Sequence, residues 1–230
     1  MKNIAILIGL FLGIEPCYPA GTITTARGSG TITINAVGYT QDSAGSTSAN
    51  SPATLADDSA IGTVVWNNPS NASSQNDIYA GSQPDGDLTI THYLKATDFG
   101  FSVPTGATIN GIVVEVDKYS TASGGDEDVL DYRVRIVKGG TIGSTDKSSA
   151  SEWSGTDTDT YITYGSSSDL WGETWTAADI NGSTFGFAIA AQHTCGLCSV
   201  GVSDTTFIDH IRITVYYGAT VSTQQITTTP

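Results

Sequence analysis

A strict alternation of apolar and polar side chains constrains this chain more than any other feature of its sequence. Near the C-terminus, Ile211, Ile213 and Val215 alternate with Arg212 and Thr214. Side chains two residues apart lie on the same face of a β-strand, so this period indicates a strand with one buried face. The same alternation recurs in further segments, which are residues 87–97, 99–103, 112–117 and 130–137. The chain is therefore expected to consist mainly of strands.

The composition agrees with a β-rich fold. Of the 230 residues, 26 are Gly, 33 are Thr and 25 are Ser, and all three residue types disfavour helix interiors. The hydrophobic share of 39% is enough for a buried core, which excludes disorder throughout the chain. No parallel βαβ pattern is visible. We expect an all-β fold, a two-layer antiparallel β-sandwich, with one short helical turn between Thr176 and Gly182.

Residues 1–20 have the pattern of an export signal. Lys2 supplies a positive charge, an apolar run follows, and Ala20 is a small residue before the expected cleavage site. The run is shorter than the roughly 20 apolar residues that a membrane-spanning helix needs. We therefore expect a signal peptide, a mature chain beginning at Gly21, and a secreted or cell-surface protein. The alternative is a buried N-terminal strand or helix in an unprocessed intracellular or virion protein.

The rest of the chain divides into three segments. Residues 21–60 are poor in large apolar side chains and are expected to form an N-terminal arm with one early strand. Residues 61–217 contain the alternating runs and are expected to form the sandwich, with a first strand at residues 61–66. Residues 218–230 form a Thr-rich C-terminal tail.

The charge excludes some classes of partner. The formal net charge is -14, with nine Lys and Arg residues scattered along the chain. No basic stripe is present that could neutralise phosphates, so neither nucleic acid nor an acidic membrane surface is an expected partner. The sequence also holds no second apolar stretch of membrane length, so we expect no membrane span.

Two charged strand faces suggest a pairing. In residues 130–137 the alternation puts Tyr132 on the apolar face and Arg133 and Arg135 on the polar face. If this strand lies beside residues 112–117, Glu115 and Asp117 would lie across from the two arginines. This pairing is a prediction about strand register rather than about a functional site.

Three stretches resemble a known group of proteins. They are FGFSVPTGATINGIVVEV, DLWGETWTAADINGSTFGFAI and IDHIRITVYY, at residues 99–116, 169–189 and 208–217. Together, and in this order, they are similar to uncharacterised β-sandwich segments of bacterial secreted proteins and phage structural proteins. The resemblance covers roughly residues 60–217 and implies a jelly-roll-like sandwich. It carries over no catalytic residues.

A short motif near the C-terminal strand concentrates potential soft ligands. His193, Cys195 and Cys198 lie within six residues of each other. In an exported chain, the two cysteines that remain after signal removal most simply form a disulfide, so we predict a Cys195–Cys198 bond. A structural zinc site is the alternative, but it would need further ligands that the sequence does not show.

An acidic loop is the candidate cation site. Asp126, Asp128 and Asp131 follow two glycines, and loop carbonyls could complete the oxygen shell that Ca²⁺ prefers. Calcium is therefore a possible cofactor, although an acidic, solvated loop explains the same residues. The spacing does not fit an EF-hand loop.

Aromatic residues raise the possibility of glycan binding. An exposed ring can stack on the apolar face of a sugar, and Trp153 lies in a polar stretch where its ring could be exposed. The remaining tryptophans, Trp66, Trp171 and Trp175, are expected in the core. A carbohydrate-binding module is accordingly one alternative function.

The sequence offers no catalytic motif. It contains no GxSxG, no HExxH and no phosphate-binding glycine loop, and its many carboxylates identify no particular catalytic pair. Asp209 and His210 are adjacent, but neighbours on a strand point to opposite faces, so we expect no hydrogen-bonded dyad. The chain is expected not to be an enzyme.

The two terminal segments are rich in β-forming residues but lack the large apolar residues that would fix them in a core. Each could therefore add as a strand to a sheet of another copy. The residues expected to take part are Gly21, Thr22, Ile23, Thr24, Ile32, Val221 and Ile226.

These observations predict a non-enzymatic, exported β-sandwich that acts in surface attachment, extracellular matrix or filament assembly. Its partners would be other copies of itself or an extracellular glycan or surface. The alternatives are a phage virion component, such as a tail fibre or decoration protein, and a carbohydrate-binding module.

Overall fold

The computed structural model describes residues 45–122, 127–158, 160–196 and 205–218, with the backbone of residues 33–34 and 226–227. In chain order the elements are β1 (Thr33–Ile34), β2 (Gly45–Ser46), β3 (Thr54–Asp58), β4 (Ala80–Ser82), β5 (Tyr93–Thr97), β6 (Ile109–Ser120), β7 (Glu127–Lys138), β8 (Thr141–Ile142), β9 (Tyr161–Ser166), α1 (Ala177–Asn181), β10 (Gly186–Cys195), β11 (Thr206–Tyr217) and β12 (Ile226–Thr227). A 3-10 turn, Pro69–Ala72, lies between β3 and β4. None of the described helices is long and apolar enough to cross a membrane.

The main body consists of two packed sheets. The first has the strand order β3-β5-β10-β7-β8, and the second has the order β2-β11-β6-β9, with β4 also paired to β11. All of these strand pairs are antiparallel. The predicted all-β, two-layer antiparallel sandwich is confirmed. From β5 to β6, from β6 to β7, from β9 to β10 and from β10 to β11 the chain passes from one sheet to the other.

The core lies between the sheets and is built from the alternating residues. Ile112, Val114 and Val116 of β6 have no exposed surface, and neither do Ile211 and Ile213 of β11. Burial of such side chains contributes roughly 1.5–3 kcal/mol each, so the two-residue period itself supplies much of the driving force for sheet packing. Outside the strands, the side chains of three alternating residues are also buried: Phe99, Phe101 and Val103.

The helical turn predicted at Thr176 is confirmed as α1. The Asp179 N–H donates to Oγ1 of Thr176 at 3.1 Å, and the Thr176 N–H donates to Oδ2 of Asp179 at 2.8 Å. This reciprocal capping satisfies two N–H groups that the first helical turn leaves without partners. Gly182 follows the helix as its C-cap, as the sequence indicated.

The strand expected at residues 61–66 is wrong. Only Val64 forms a bridge there, to Thr91, whereas the edge strand of the first sheet is β3. The Asn67-Asn68-Pro69 sequence turns the chain early, and Asn68 has a left-handed φ of 50°. Two strands of the sheets, β2 (Gly45–Ser46) and β3 (Thr54–Asp58), instead come from the segment that the sequence analysis assigned to the N-terminal arm.

The expected pairing of Glu115 and Asp117 with Arg133 and Arg135 is also wrong. β6 and β7 lie in different sheets, and the neighbours of β6 are β9 and β11. Glu115 instead lies opposite Arg212. Glu115 does lie opposite a positive charge, but that charge belongs to Arg212 of β11.

Bulges in the strand ladders change which residues face the core. In the β7–β10 ladder, Ala190 pairs with Arg133 and Ala191 pairs with Asp131, so Tyr132 is the extra residue. A bulge shifts the side-chain alternation by one position, and Asp131 consequently faces inward. A second bulge, at Asp209 of β11, lies in the ladder with β6.

The terminal strands β1 and β12 form an antiparallel ladder in a unit of their own. Thr33 lies opposite Thr227, and Ile34 lies opposite Ile226. The N-terminal arm and the C-terminal tail thus supply strands to each other within one chain.

Candidate functional site

A buried ionic cluster joins the inner faces of the two sheets. Lys118 of β6 and Tyr164 of β9 come from one sheet, Asp131 of β7 comes from the other, and Trp153 comes from the loop before β9. Nζ of Lys118 contacts Oδ1 of Asp131 and lies 2.6 Å from the Tyr164 hydroxyl. The bulge at Tyr132 creates this cluster, because it turns Asp131 towards the core.

Every lone-pair direction of the Asp131 carboxylate is used. Oδ1 accepts from Lys118 and from the Trp153 indole N–H, the latter at 2.9 Å. Oδ2 accepts from the Tyr164 hydroxyl at 2.8 Å and from the Ser149 backbone N–H at 3.0 Å. A carboxylate offers about four acceptor positions, so this one is satisfied within the protein.

The electrostatics of this cluster follow from burial. The side chains of Lys118 and Asp131 are 4% and 0% exposed. Burial lowers the pKa of Lys118, and the charge of Asp131 opposes that effect. Burial, then the Asp131 charge, raises the pKa of Tyr164 well above its usual range, so the phenol keeps its proton. The Lys118 ammonium also lies 4.3 Å from the centroid of the Trp153 ring.

A small pocket opens beside the cluster. Its volume is about 120 Å³, and Lys118, Ser149 and Trp153 line it together with Ile162. The ion pair is therefore shielded from bulk solvent but lies next to a space that can hold water.

A chain of hydrogen bonds crosses the outer face of the second sheet. The Ser51 hydroxyl lies 2.8 Å from Nε2 of His210, and Nδ1 of His210 lies 2.7 Å from the Tyr161 hydroxyl. Tyr161 donates to Oε1 of Gln75 at 2.7 Å, and Nε2 of Gln75 donates to Asp117 at 3.1 Å. The strand register brings these side chains together. Asp117 lies opposite His210 in the β6–β11 ladder and opposite Tyr161 in the β6–β9 ladder.

The direction of these bonds fixes the histidine tautomer. Because Tyr161 gives its only proton to Gln75, its oxygen accepts from Nδ1–H of His210. Nε2 is then the acceptor of the Ser51 hydroxyl proton. Burial, followed by the charge of Arg212, lowers the pKa of His210, which favours this neutral imidazole.

Arg212 lies beside this network and contacts both Glu115 and Tyr161. It forms two hydrogen bonds to the Glu115 carboxylate, at 2.9 and 3.0 Å, and its guanidinium lies 3.8 Å from the centroid of the Tyr161 ring. A serine hydroxyl bound to a neutral imidazole resembles an activated nucleophile. Here the third group is a phenol, and its described path to a carboxylate runs through Gln75 to Asp117.

An aromatic cluster lies further along the same face. The rings of Tyr119 and Phe207 stack at 4.8 Å, and Tyr79 packs edge-on against both. The Tyr79 hydroxyl binds Asp157, which raises the pKa of Tyr79 above its usual range. These rings pack on one another rather than forming a flat platform.

Of the expected calcium site, the structure describes Asp128 and Asp131 and places them in different surroundings. Asp131 is buried and engaged in the ionic cluster, so it does not belong to an exposed loop. Asp128 lines a different pocket of about 490 Å³, together with Glu152. Asp126 lies outside the described residues. Within the described residues, no group of three His, Cys, Asp or Glu side chains could hold a metal ion.

The expected exposure of Trp153 is wrong. Its side chain belongs to the core with only 5% of the residue exposed, because its indole N–H binds the buried Asp131. Trp66 and Trp171 are buried as expected, and Trp175 is partly buried against the same core.

The cysteine motif begins at the end of β10. His193 is buried, and its Nδ1 lies 3.0 Å from the Gly86 carbonyl oxygen. The Cys195 N–H donates to Asp87 at 3.0 Å, and the residue is 7% exposed. Cys198 lies outside the described residues, so the Cys195–Cys198 disulfide stays a prediction.

Most of the residues expected in self-association also lie outside the described part of the chain. They are Gly21, Thr22, Ile23, Thr24, Ile32 and Val221. Ile226 lies in β12, where its backbone pairs with that of Ile34. Pairing with a second copy stays a prediction.

Sequence reasoning missed both networks described above. Ser51 and His210 are 159 residues apart, and Gln75 lies in a loop with no motif. The only signal was the polar pattern of β6 and β11, which identified the outer face but not the contacts on it. The described side-chain bonds of His210 run to Ser51 and Tyr161. No protein-family model, no curated protein and no solved structure matches this chain.

Proposed function

We propose that this chain is an exported, non-enzymatic β-sandwich that acts in surface attachment, extracellular matrix or filament assembly. The observation that carries the proposal is the edge strand β9. Among the described residues, β9 pairs with β6 and has no strand on its other side. An unpaired edge exposes N–H and C=O groups to which a further strand can bind.

The edges of the two sheets differ in how well they are protected. β3 carries Asp57 and Asp58, whose charges oppose strand addition, and β8 has only two residues. β9 has the sequence Tyr-Ile-Thr-Tyr-Gly-Ser, without charge or proline, and Ile162 is 41% exposed. Of these three edges, β9 is therefore the most suitable for adding a strand.

The terminal segments of a second copy are the proposed source of that strand. They are rich in Thr and Ile, and backbone hydrogen bonds would supply most of the affinity. One copy would thereby join to the next, which supports assembly into a filament or matrix.

The test compares two substitutions at one position. Ile162→Lys places a charge at the edge and should abolish any oligomer seen by light scattering, whereas Ile162→Thr keeps a β-forming, neutral residue and should assemble. Deletion of residues 219–230 should have the same effect as Ile162→Lys, with an unchanged near-ultraviolet circular dichroism spectrum. A wild-type chain that stays monomeric at high concentration contradicts the proposal.

Export is part of the same proposal, with Gly21 as the mature N-terminus and a Cys195–Cys198 disulfide. Intact mass of protein from its native host tests the cleavage. Retention of residues 1–20 would contradict export and favour a virion component.

The outer network supports carbohydrate binding as a second candidate. Gln75 and Ser51 are exposed beside the partly buried Tyr161 ring, so polar groups that could bind sugar hydroxyls lie next to an aromatic side chain. Titration calorimetry with soluble polysaccharides would detect binding, and Tyr161→Ala should abolish it. Val65→Ala, at an exposed site on another segment, is the control that should bind normally. Equal binding by both variants would exclude this face.

A further inference from the structure

The contact between Lys118 and Asp131 brings an amine and a carboxyl group together between two sheets. We propose that these side chains condense into an intramolecular isopeptide bond, without another enzyme or a cofactor. The bond would link β6 of one sheet to β7 of the other. Both reacting groups belong to this chain, and the proposal does not depend on the function proposed above.

The surroundings favour the neutral forms that must react. Both side chains are almost fully buried, which disfavours charged groups. Burial lowers the pKa of Lys118, so its nitrogen gives up a proton more easily than an exposed lysine does. Transfer of one proton from Nζ to the carboxylate produces a neutral amine and a neutral acid already in contact.

The neighbours of Asp131 are placed to assist the attack. Nζ attacks the side-chain carbonyl carbon, and negative charge develops on Oδ1. That oxygen accepts from the Trp153 indole N–H at 2.9 Å, which stabilises the developing charge. The Ser149 N–H binds Oδ2 at 3.0 Å and holds the leaving oxygen in position.

Tyr164 connects the nitrogen to the leaving oxygen. Its hydroxyl lies 2.6 Å from Nζ and 2.8 Å from Oδ2, so it can accept a proton from nitrogen while it donates its own to oxygen. A C–N bond forms, the C–Oδ2 bond breaks and one water molecule leaves. Nothing is oxidised or reduced. The pocket of about 120 Å³ beside Lys118 provides space for the released water.

Intact mass spectrometry of the folded, reduced full chain tests the bond. The expected mass is lower than that of the sequence by one water molecule. Trypsin should fail to cut after Lys118, and a further cut at Glu127 should leave two peptides joined through Lys118 and Asp131. Lys118→Arg is the matched control, because arginine keeps the ion pair but is not a nucleophile. Its mass should equal the calculated value.

A second variant tests the role of Tyr164. Chain from inclusion bodies dissolved in denaturant, with the full calculated mass, has not yet formed the bond, so loss of water after dilution into buffer reports the rate of bond formation. Tyr164→Phe keeps the ring but cannot transfer the proton, and it should react about a hundredfold more slowly. A folded wild-type chain of full calculated mass would overturn the proposal. So would a water loss that maps to other residues, or one that persists in Lys118→Arg.

Discussion

The Tyr161 hydroxyl lies 2.7 Å from Nδ1 of His210 and determines which nitrogen of that imidazole carries the proton. The phenol is fixed as an acceptor because its own proton goes to Gln75. His210 therefore presents Nε2 to Ser51 as an acceptor, and this buried histidine is part of a directed chain of hydrogen bonds.

We expect the stability of the sandwich to fall as the pH decreases through the ordinary histidine pKa of about 6.5. Burial and the charge of Arg212 lower the pKa of His210 in the folded state, whereas Glu115 raises it. The unfolded chain therefore takes up the proton first, and His210's contribution is complete above that pH and lost below it. Denaturant unfolding at several pH values should show that the free energy of unfolding depends more steeply on pH in the wild type than in His210→Asn. The same pH dependence in both proteins would contradict this role of His210.

Gly165 should not tolerate a side chain. Its φ is 76°, and a Cβ there would lie 2.3 Å from the Ile112 carbonyl oxygen and 2.8 Å from Nε1 of Trp171. Those two atoms form a hydrogen bond of 3.0 Å in the core. We expect Gly165→Ala to lower the free energy of unfolding by about 3 kcal/mol, because overpacking and backbone strain act together.

Gly100 provides the control for this effect. Its φ is 64°, but a Cβ would meet nothing within 4 Å. Gly100→Ala should therefore cost only the strain of the left-handed backbone, about 1 kcal/mol. Equal losses in the two variants would show that packing at Gly165 contributes nothing.

The sequence predicted the long strands β6, β7 and β11 well because alternation is a local property. Ile112, Val114 and Ile211 are buried as expected, and a residue's own neighbours are enough to indicate this. Strand pairing is not local. The consecutive strands β6 and β7 lie in different sheets, so the charged partner of Glu115 is on β11 rather than on β7.

The bulge at Tyr132 explains why the main interior cluster was not foreseen. Unbroken alternation places Asp131 on the outer face with Arg133, and a single extra residue reverses that orientation. The sequence around Tyr132 carries no glycine or proline to indicate a bulge. The calcium prediction did not allow for a bulge and therefore treated Asp131 as a ligand on an exposed loop.

Removal of Asp131 should destabilise the fold far more than removal of Glu115. Asp131→Ala leaves Lys118 buried without its counter-charge and leaves Trp153 without its acceptor, which should cost about 3–5 kcal/mol. The side chains of Glu115 and Arg212 are 23% and 32% exposed, so water can replace the lost contact in Glu115→Ala. That variant should lose less than about 1 kcal/mol. Urea unfolding of both variants makes the comparison, and similar midpoints would contradict it.

The cysteine pair should be oxidised in protein from the native host. Alkylation without reductant is expected to add nothing at Cys195 or Cys198, and both should label after reduction in denaturant. The bond would close a loop over only two intervening residues, so its effect on the unfolded chain is small. Replacing both cysteines by serine should therefore lower the free energy of unfolding only slightly. The loss should be much smaller than the roughly 3 kcal/mol expected for a disulfide that closes a loop of about 15 residues. Labelling of both thiols before reduction would exclude the disulfide and return His193 and the two cysteines to the metal interpretation, which binding of Zn²⁺ to the reduced chain would then test.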